Sequence, residues 1–420
     1  METMSEDAKA ILLLCAHLGG ESEAEPLGQA EYNAVVRWLV GRNLRPSDLL
    51  QPEHTPSLSR ETGIPQPRLS LLLKRGVQLG FAVETWQQSG LWVICRSDPD
   101  YPARCKSHLK DKAPAILFGA GDRRLLRGGG LAIVGSRDVD AAGEAFAREV
   151  AGWCGRGGMP VVSGGARGVD AIAMTEALEA GGTVIGVLAE NLLRKSVARE
   201  ARYALAENRL LLISPYHPEV GFSVGNAMGR NKLIYAMAEY GLVVSADCEK
   251  GGTWAGAAEE LKRRPARPVF VRVAADTPTG NRKLLELGAV AFPAFSTEEA
   301  PEALLGAAAG SAAAPPEDDM PLYTAAARRQ PASGSVRESV PAVEAERPPP
   351  PAPAPAVPST LYEAVLPVLL AALEEPATVA DLARRLDVSP GQLHLWLTKA
   401  AGENKVERLA KPVRFVRRRP

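Results

Sequence analysis

Much that would mark a metal, membrane or secreted protein is scarce in this chain. It has five cysteines in 420 residues, Cys15, Cys95, Cys105, Cys154 and Cys248. They are scattered, odd in number and form no CxxC pair, so a cysteine-built metal site is not expected and a reduced, cytoplasmic compartment is. No apolar run approaches the roughly 20 residues that cross a bilayer. The opening METMSEDAKAILLLCAHLGG carries acids where a secretory signal is basic, and its apolar run is very short. Neither a signal peptide nor a membrane partner is therefore expected. The 49 basic residues balance the 49 acidic ones. Any hold on a nucleic acid must then come from local patches. No GxxxxGK[ST] is present, which argues against a P-loop ATPase, and the dinucleotide GxGxxG is missing after the first strand of the α/β region.

What is present divides the chain into four parts. Residues 1–96 hold short helical patterns such as DAKAILLLCAHLG and QPRLSLLLKRGVQLG, closed by glycine near a C′ position, and predict a small helical domain. Residues 97–298 alternate apolar runs with amphipathic stretches. The runs LAIVG, PVVSG, TVIGVL, RLLLIS, GLVVSA and PVFVRV predict strands, and Phe146, Val150 and Trp153 share one helical face. The pattern is α/β: a Rossmann-like, doubly wound, mainly parallel sheet with helices on both faces. Residues 299–358, with RPPPPAPAPAVPS, read as a semi-stiff Pro/Ala-rich linker. Residues 359–420 read as a second compact module.

In an open parallel sheet, ligands bind beyond the C-terminal ends of the strands. Three such ends carry glycine and a basic residue. LAIVG is followed by Ser136 and Arg137, beginning at Gly135. PVVSG, with Ser163 and Gly164, is followed by Gly165, Arg167, Gly168 and Asp170. GLVVSA leads to Lys250, Gly251, Gly252 and Thr253. Glycine permits close backbone approach, and helix N-termini offer free N–H groups with partial positive charge. A fourth stretch, GFSVGNAMGRNKLIYAMAEYG, supplies Phe222, Arg230, Asn231 and Lys232 at a helix start. Any one of these turns alone is explained by connection, since βα turns need glycine. Three at one sheet edge, each with a cation, point to an anion such as a phosphate. Asp170 reads either as a helix N-cap or as a partner orienting a basic group. Phe222 reads either as core or as a stacking platform.

Taken together, AIVGSR, VVSGGARGVD…AL, LLISPYHP, F…GRNK and VVSAD…KGGTWAGAAEEL resemble, in order and spacing, the DNA processing protein A (DprA/Smf) family. The resemblance covers roughly residues 97–293, including SDPDYPARCKSHLKDKAPAILFGAGDRRLL. It implies a Rossmann-like domain that binds single-stranded DNA and helps load RecA recombinase during DNA uptake and recombination. It also implies a homodimer through that domain, no cofactor and no enzymatic activity. The family's DNA-contacting positions fall on Ser136, Arg137, Ser163, Gly164, Arg167, Arg230 and Asn231, with Lys232 beside them. The chain departs from the family at Met174, where a histidine is usual, and at Pro215 and Ser245, where glutamates are usual. AENLLRKSVAREARYAL replaces the family's Tyr-Pro segment. Losing a histidine and two carboxylates argues against acid–base chemistry here.

The C-terminal TVADLARRLDVSPGQLHLWLTKAAGENKVERLAKPVRFVRR reads as two helices around a turn at Asp387-Val388-Ser389, then two short strands. That is a winged helix-turn-helix pattern. Gln392, His394, Lys399, Arg414, Arg417 and Arg418 are its candidate DNA contacts, and protein recruitment is the competing use. A different function also stands open: a nucleotide-binding or nucleoside-monophosphate-hydrolysing protein, using Glu259 or Glu260 downstream of GGT.

Overall fold

The computed structural model describes residues 4–19, 24–274 and 277–312, together with 361–374, 376–386, 388, 390–403, 405–409 and 414–417. The chain divides into two compact units, Met1–Pro321 and Leu322–Pro420.

The first unit opens with five helices: α1 (Glu6–Cys15), α2 (Gln29–Val40), α3 (Thr55–Thr62), α4 (Gln66–Leu73) and α5 (Gly76–Gln88). The Ser5 hydroxyl caps α1 by accepting the Ala8 N–H at 3.1 Å. Leu14, Val35, Trp38, Leu58, Leu69 and Leu72 close a small core of their own. The rest of α1, with Ile11, Leu12 and Leu13, packs into the core of the following sheet.

That sheet has nine strands: β1 (Trp92–Cys95), β2 (Ile116–Ala120), β3 (Leu131–Val134), β4 (Val161–Ser163), β5 (Val184–Val187), β6 (Leu210–Ser214), β7 (Tyr240–Val243), β8 (Val269–Val271) and β9 (Val290–Ala291). Their order is β1-β2-β6-β5-β4-β3-β7-β8-β9. β6 to β9 in that order pair in parallel, while β1–β2 and β2–β6 are antiparallel. The chain winds outward from β3 through β4, β5 and β6, then returns to the other side of β3 for β7. The switch point therefore lies between β3 and β7.

The helices of this unit continue as α6 (Ala103–Leu109), α7 (Ala141–Arg156), α8 (Val169–Glu179), α9 (Leu192–Ser196), α10 (Arg199–Ala206), α11 (Val224–Met237), α12 (Gly251–Leu261), α13 (Thr279–Glu286) and α14 (Pro301–Ala312). Because a strand's side chains alternate between faces, Leu131, Ile133, Val161, Val184 and Leu242 pack with α7 and α8. Ala132, Val134, Val162, Ile185 and Val243 pack with α6, α11, α12 and α13 on the other face. The six strands expected from apolar runs are β3 to β8, and the fold is Rossmann-like, as expected.

Both expected boundaries of the α/β region move. The sheet begins at Trp92, before the expected limit of the helical domain at residue 96. The Trp92 indole packs against Gly119, where a Cβ would come within 2.3 Å of the ring, and its N–H donates to the Gly121 carbonyl at 2.8 Å. At the far end, Pro301–Ala312 is helix, not linker. Leu305 is fully buried there, and the Trp153 indole N–H donates to the Glu299 carbonyl at 2.8 Å. The remaining linker residues, 313–358, lie outside the described residues.

The second unit holds α15 (Leu361–Ala372), α16 (Val379–Leu386) and α17 (Pro390–Gly402), then the antiparallel pair β10 (Val406–Leu409) and β11 (Arg414–Arg417). Leu369, Leu373, Leu382, Leu393, Trp396, Leu397 and Phe415 form its core. Lys399 and Arg417 are exposed, and Arg417 lies 4.0 Å from the Glu374 carboxylate. Asp387, Ser389, Arg418 and the side chains of Gln392, His394 and Arg414 lie outside the described residues.

Candidate functional site

The loops at the switch point are shaped by close backbone packing. Gly135 leaves β3 directly against Val169, where a Cβ would meet the valine methyl at 2.4 Å. Gly168 precedes α8 at φ +83°, and a Cβ there would come within 2.4 Å of the Ser136 carbonyl. Only glycine satisfies both the positive φ and the close approach. The loop after β3 is thus clamped onto the start of α8. The Ser136 hydroxyl accepts the Asp138 N–H at 3.2 Å, tightening the turn that presents Arg137.

A cleft of about 420 Å³ opens there. Gly135, Ser136 and Arg137 line it from β3, Asp170 from α8, Phe222, Arg230 and Asn231 from α11 and its approach, and Lys250, Gly251, Gly252 and Thr253 from the start of α12. The α12 N-terminus is tied in place from two sides. Thr253 donates its hydroxyl proton to the Gly135 carbonyl at 2.9 Å, and the Asn231 amide donates to the Gly252 carbonyl at 2.9 Å. No side chain caps α12. Its first-turn N–H groups are therefore left for water or a ligand.

Phe222 is not core. It is 49% exposed at the cleft, with the Arg137 guanidinium 5.0 Å from its ring centroid. A cation and a flat apolar face are thus presented together.

Arg230, read from the sequence as a DNA contact, is only 5% exposed. Its Nη1 lies 3.4 Å from the equally buried Asp170 carboxylate. Gly164 makes room for it: a Cβ there would fall 1.3 Å from Nη1. Asp170 is accordingly the partner that orients a basic group, and the N-cap position of α8 belongs to Gly168. Burial raises the Asp170 pKa, and Arg230 with the Gly164 and Ala166 N–H groups opposes that rise. Arg230 Nε and the Tyr235 hydroxyl are buried without a hydrogen-bond partner among the described residues. Both residues line the cleft.

The other expected residues sit around it. The Ser163 hydroxyl donates to the Ile133 carbonyl at 2.7 Å in the core and fastens β4 to β3. Arg167 is an exposed rim residue paired with Asp138. Gly165, at φ +62°, accepts from the Lys195 ammonium at 3.2 Å. Lys232 points away from the cleft, 3.3 Å from Glu259. Glu259 and Glu260 do not line the cleft. Glu259 holds Lys112 and Lys232, while Glu260 bonds His108 at 2.9 Å and the Arg267 N–H at 2.7 Å.

Tyr235 and Met228 also line the cleft and carry no sequence signal of their own; Ser245, a departure from the family, lines it too. Lys195 lies in the segment that departs from the family, and burial lowers its pKa.

A doubly wound sheet with an uncapped helix N-terminus and glycine-built loops at its switch point defines a Rossmann-like protein with a cleft where such folds take ligands. The chain belongs to the DNA recombination-mediator protein A family, whose model matches residues 92–301, half of its length. It is 31% identical over 188 residues to DNA processing protein DprA of Bacillus subtilis (strain 168), covering 44% of this chain and 61% of that protein. It is 34% identical over 140 residues to Protein Smf of Escherichia coli (strain K12), covering 33% of this chain and 37% of that one. The chain thus spans less than two thirds of these relatives. The crystal structure of DNA processing protein A from Streptococcus pneumoniae has the same fold, with a TM-score of 0.53 at 21% identity, over 69% of this chain and 94% of that one. None of the described helices is long and apolar enough to cross a membrane.

Proposed function

We propose that this chain binds single-stranded DNA in the cleft between β3 and β7 and acts as a recombination mediator. The observation that carries this reading is the combination at that cleft. An uncapped helix N-terminus and Arg137 offer charge to a phosphate, and exposed Phe222 offers a face to a base. Flexible single strands are held by this pairing of a cationic groove with stacking platforms. The phosphate sits at the first turn of α12, with Arg137 and Lys250 beside it. A base stacks on Phe222, on or beside the Arg137 guanidinium. Arg230 is a positioning residue: it fixes Asp170 and the Gly164 loop beneath the strand.

On this reading the protein is a binding protein of the cytoplasm, not an enzyme. It protects a strand, works as a homodimer through the sheet domain, and hands the strand to a RecA-type recombinase. The placement of Glu259 and Glu260 on structural partners outside the cleft favours binding over nucleotide hydrolysis.

The test is fluorescence anisotropy of a labelled single-stranded oligonucleotide titrated with the full chain. We expect Arg137→Ala and Phe222→Ala each to weaken binding by roughly tenfold, in line with the loss of one phosphate contact or one stacked base. A duplex competitor should displace the strand poorly. Affinity unchanged in both variants would refute the assignment of this cleft.

A further inference from the structure

Helix α11 has a cleft on each side. Ala227, Met228, Arg230 and Asn231 line the one described above. Asn226, Gly229, Lys232 and Leu233 line a second, of about 690 Å³, between α11, the loop after β6 and the N-terminal helices. We propose that this second cleft is a base-binding subsite that takes a further nucleotide of the same single strand after it crosses α11; the inference rests on the reading of the first cleft as the DNA site.

The lining of the second cleft is rich in unsaturated rings. Half-buried Tyr216 and His217 and exposed His17 line it, with Tyr32 and Phe118 buried behind them. The rings are braced against each other. Trp86 meets Phe118 edge-on at 4.9 Å and His217 at 6.1 Å. Tyr216 is fixed against the helix itself: its hydroxyl donates to the Asn226 carbonyl at 3.0 Å and lies where a Gly229 Cβ would come within 2.5 Å. Braced rings lose little freedom when a base stacks on them.

Charge in the second cleft supports a base more than a bare phosphate. Its lysines, Lys112 and Lys232, are both bound to Glu259. Burial holds His217 below the ordinary imidazole range; Glu219 opposes this and His17 adds to it. The ring at the cleft wall is therefore a neutral heterocycle at physiological pH, suited to stacking. Continuity fixes the occupant. The two clefts lie on different faces of α11, Ala227, Met228, Arg230 and Asn231 on one and Asn226, Gly229, Lys232 and Leu233 on the other, so a strand leaving the first has only the width of one helix to cross, about 10 Å. Phe222 and Val224, both exposed, line the first cleft where the approach to α11 begins.

Oligothymidylates of increasing length, titrated against the full chain, test this. Arg137→Ala should weaken binding of every length. His17→Ala combined with Tyr216→Ala should leave the shortest binders unchanged and weaken longer ones by roughly tenfold, the scale of one lost base stack. Circular dichroism would confirm that the double variant is folded. As a second readout on the unaltered chain, a photoreactive thiothymidine at the end of the longer strand should crosslink to Tyr216, His217 or His17. Equal loss at all lengths, no loss at any length, or crosslinks confined to the Phe222 side would overturn the second subsite while leaving the first intact. Absence of binding at every length in the unaltered chain would overturn both.

Discussion

At the scale of single residues, Arg230 and Arg137 look alike in sequence and differ in physics. Arg137 is exposed and stacked on Phe222, and its removal deletes a contact. Arg230 is buried against Asp170, and its removal strands a carboxylate already disfavoured by burial. Truncating one partner of a buried pair costs about 3–5 kcal/mol. We therefore expect Arg230→Ala to lower the urea midpoint sharply, while Arg137→Ala leaves it within about 0.5 kcal/mol of the parent. Loss of DNA binding in Arg230→Ala then reports a collapsed loop. The double change Arg230→Met with Asp170→Asn, which removes the stranded charge, should recover much of the lost stability. If Arg230→Ala unfolds at the same urea concentration as the parent, the pair is not a structural latch.

At the scale of elements, two packing contacts make measurable claims. Leu305 anchors α14 on the sheet, in the core that also holds Trp153 and Phe270. Leu305→Ala should cost about 2–5 kcal/mol, and a chain ending at residue 298 should melt below one ending at 312. Equal melting temperatures would return residues 301–312 to the linker. The second contact joins α12 to α6. Burial pushes the Glu260 pKa up, but the bond to His108, the Arg267 N–H and nearby charges outweigh it, leaving the carboxyl below its usual range. A depressed acid stabilises the fold above its unfolded pKa, ordinarily about 4.3, and that stability is lost as pH falls through the folded value. Glu260→Gln should thus cost about 1.5–3 kcal/mol at neutral pH, and the gap should narrow below about pH 4. A gap constant with pH would mean the carboxylate's charge contributes nothing. These contacts also show what was legible. β3 to β8 could be read because strands covered on both faces are continuous apolar runs. β1 and β2, at the antiparallel edge, could not, since ILFGA lay inside a stretch dominated by prolines and charges. α14 looked like linker because Ala-rich helix and Ala/Pro-rich tether share a composition, and only Leu304 and Leu305 distinguish them. The cleft's glycines and cations were visible as local patterns. The Asp170–Arg230 pairing was not, because 60 residues separate its members.

At the scale of the whole molecule, zero net charge constrains how DNA can be held. No bulk field draws the strand in, so affinity must rest on the few cations at the cleft. Single-strand binding weakens with salt at a logarithmic slope of about −0.7 per neutralised phosphate. Arg137 and Lys250 line the cleft, and Arg167 joins them only by leaving Asp138. Two or three phosphate contacts give a slope of roughly −1.4 to −2.1. Arg137→Ala should make it shallower by about 0.7. The C-terminal unit offers the contrasting case, since its last residues run RFVRRRP. A slope steeper than about −4 that survives Arg137→Ala would require more phosphate contacts than the cleft supplies. Deleting residues 359–420 separates the two sources. If the shallow slope persists without them, the strand is held by the sheet domain alone. If binding disappears with them, the basic tail is the DNA site, and the cleft between β3 and β7 is left to another anion.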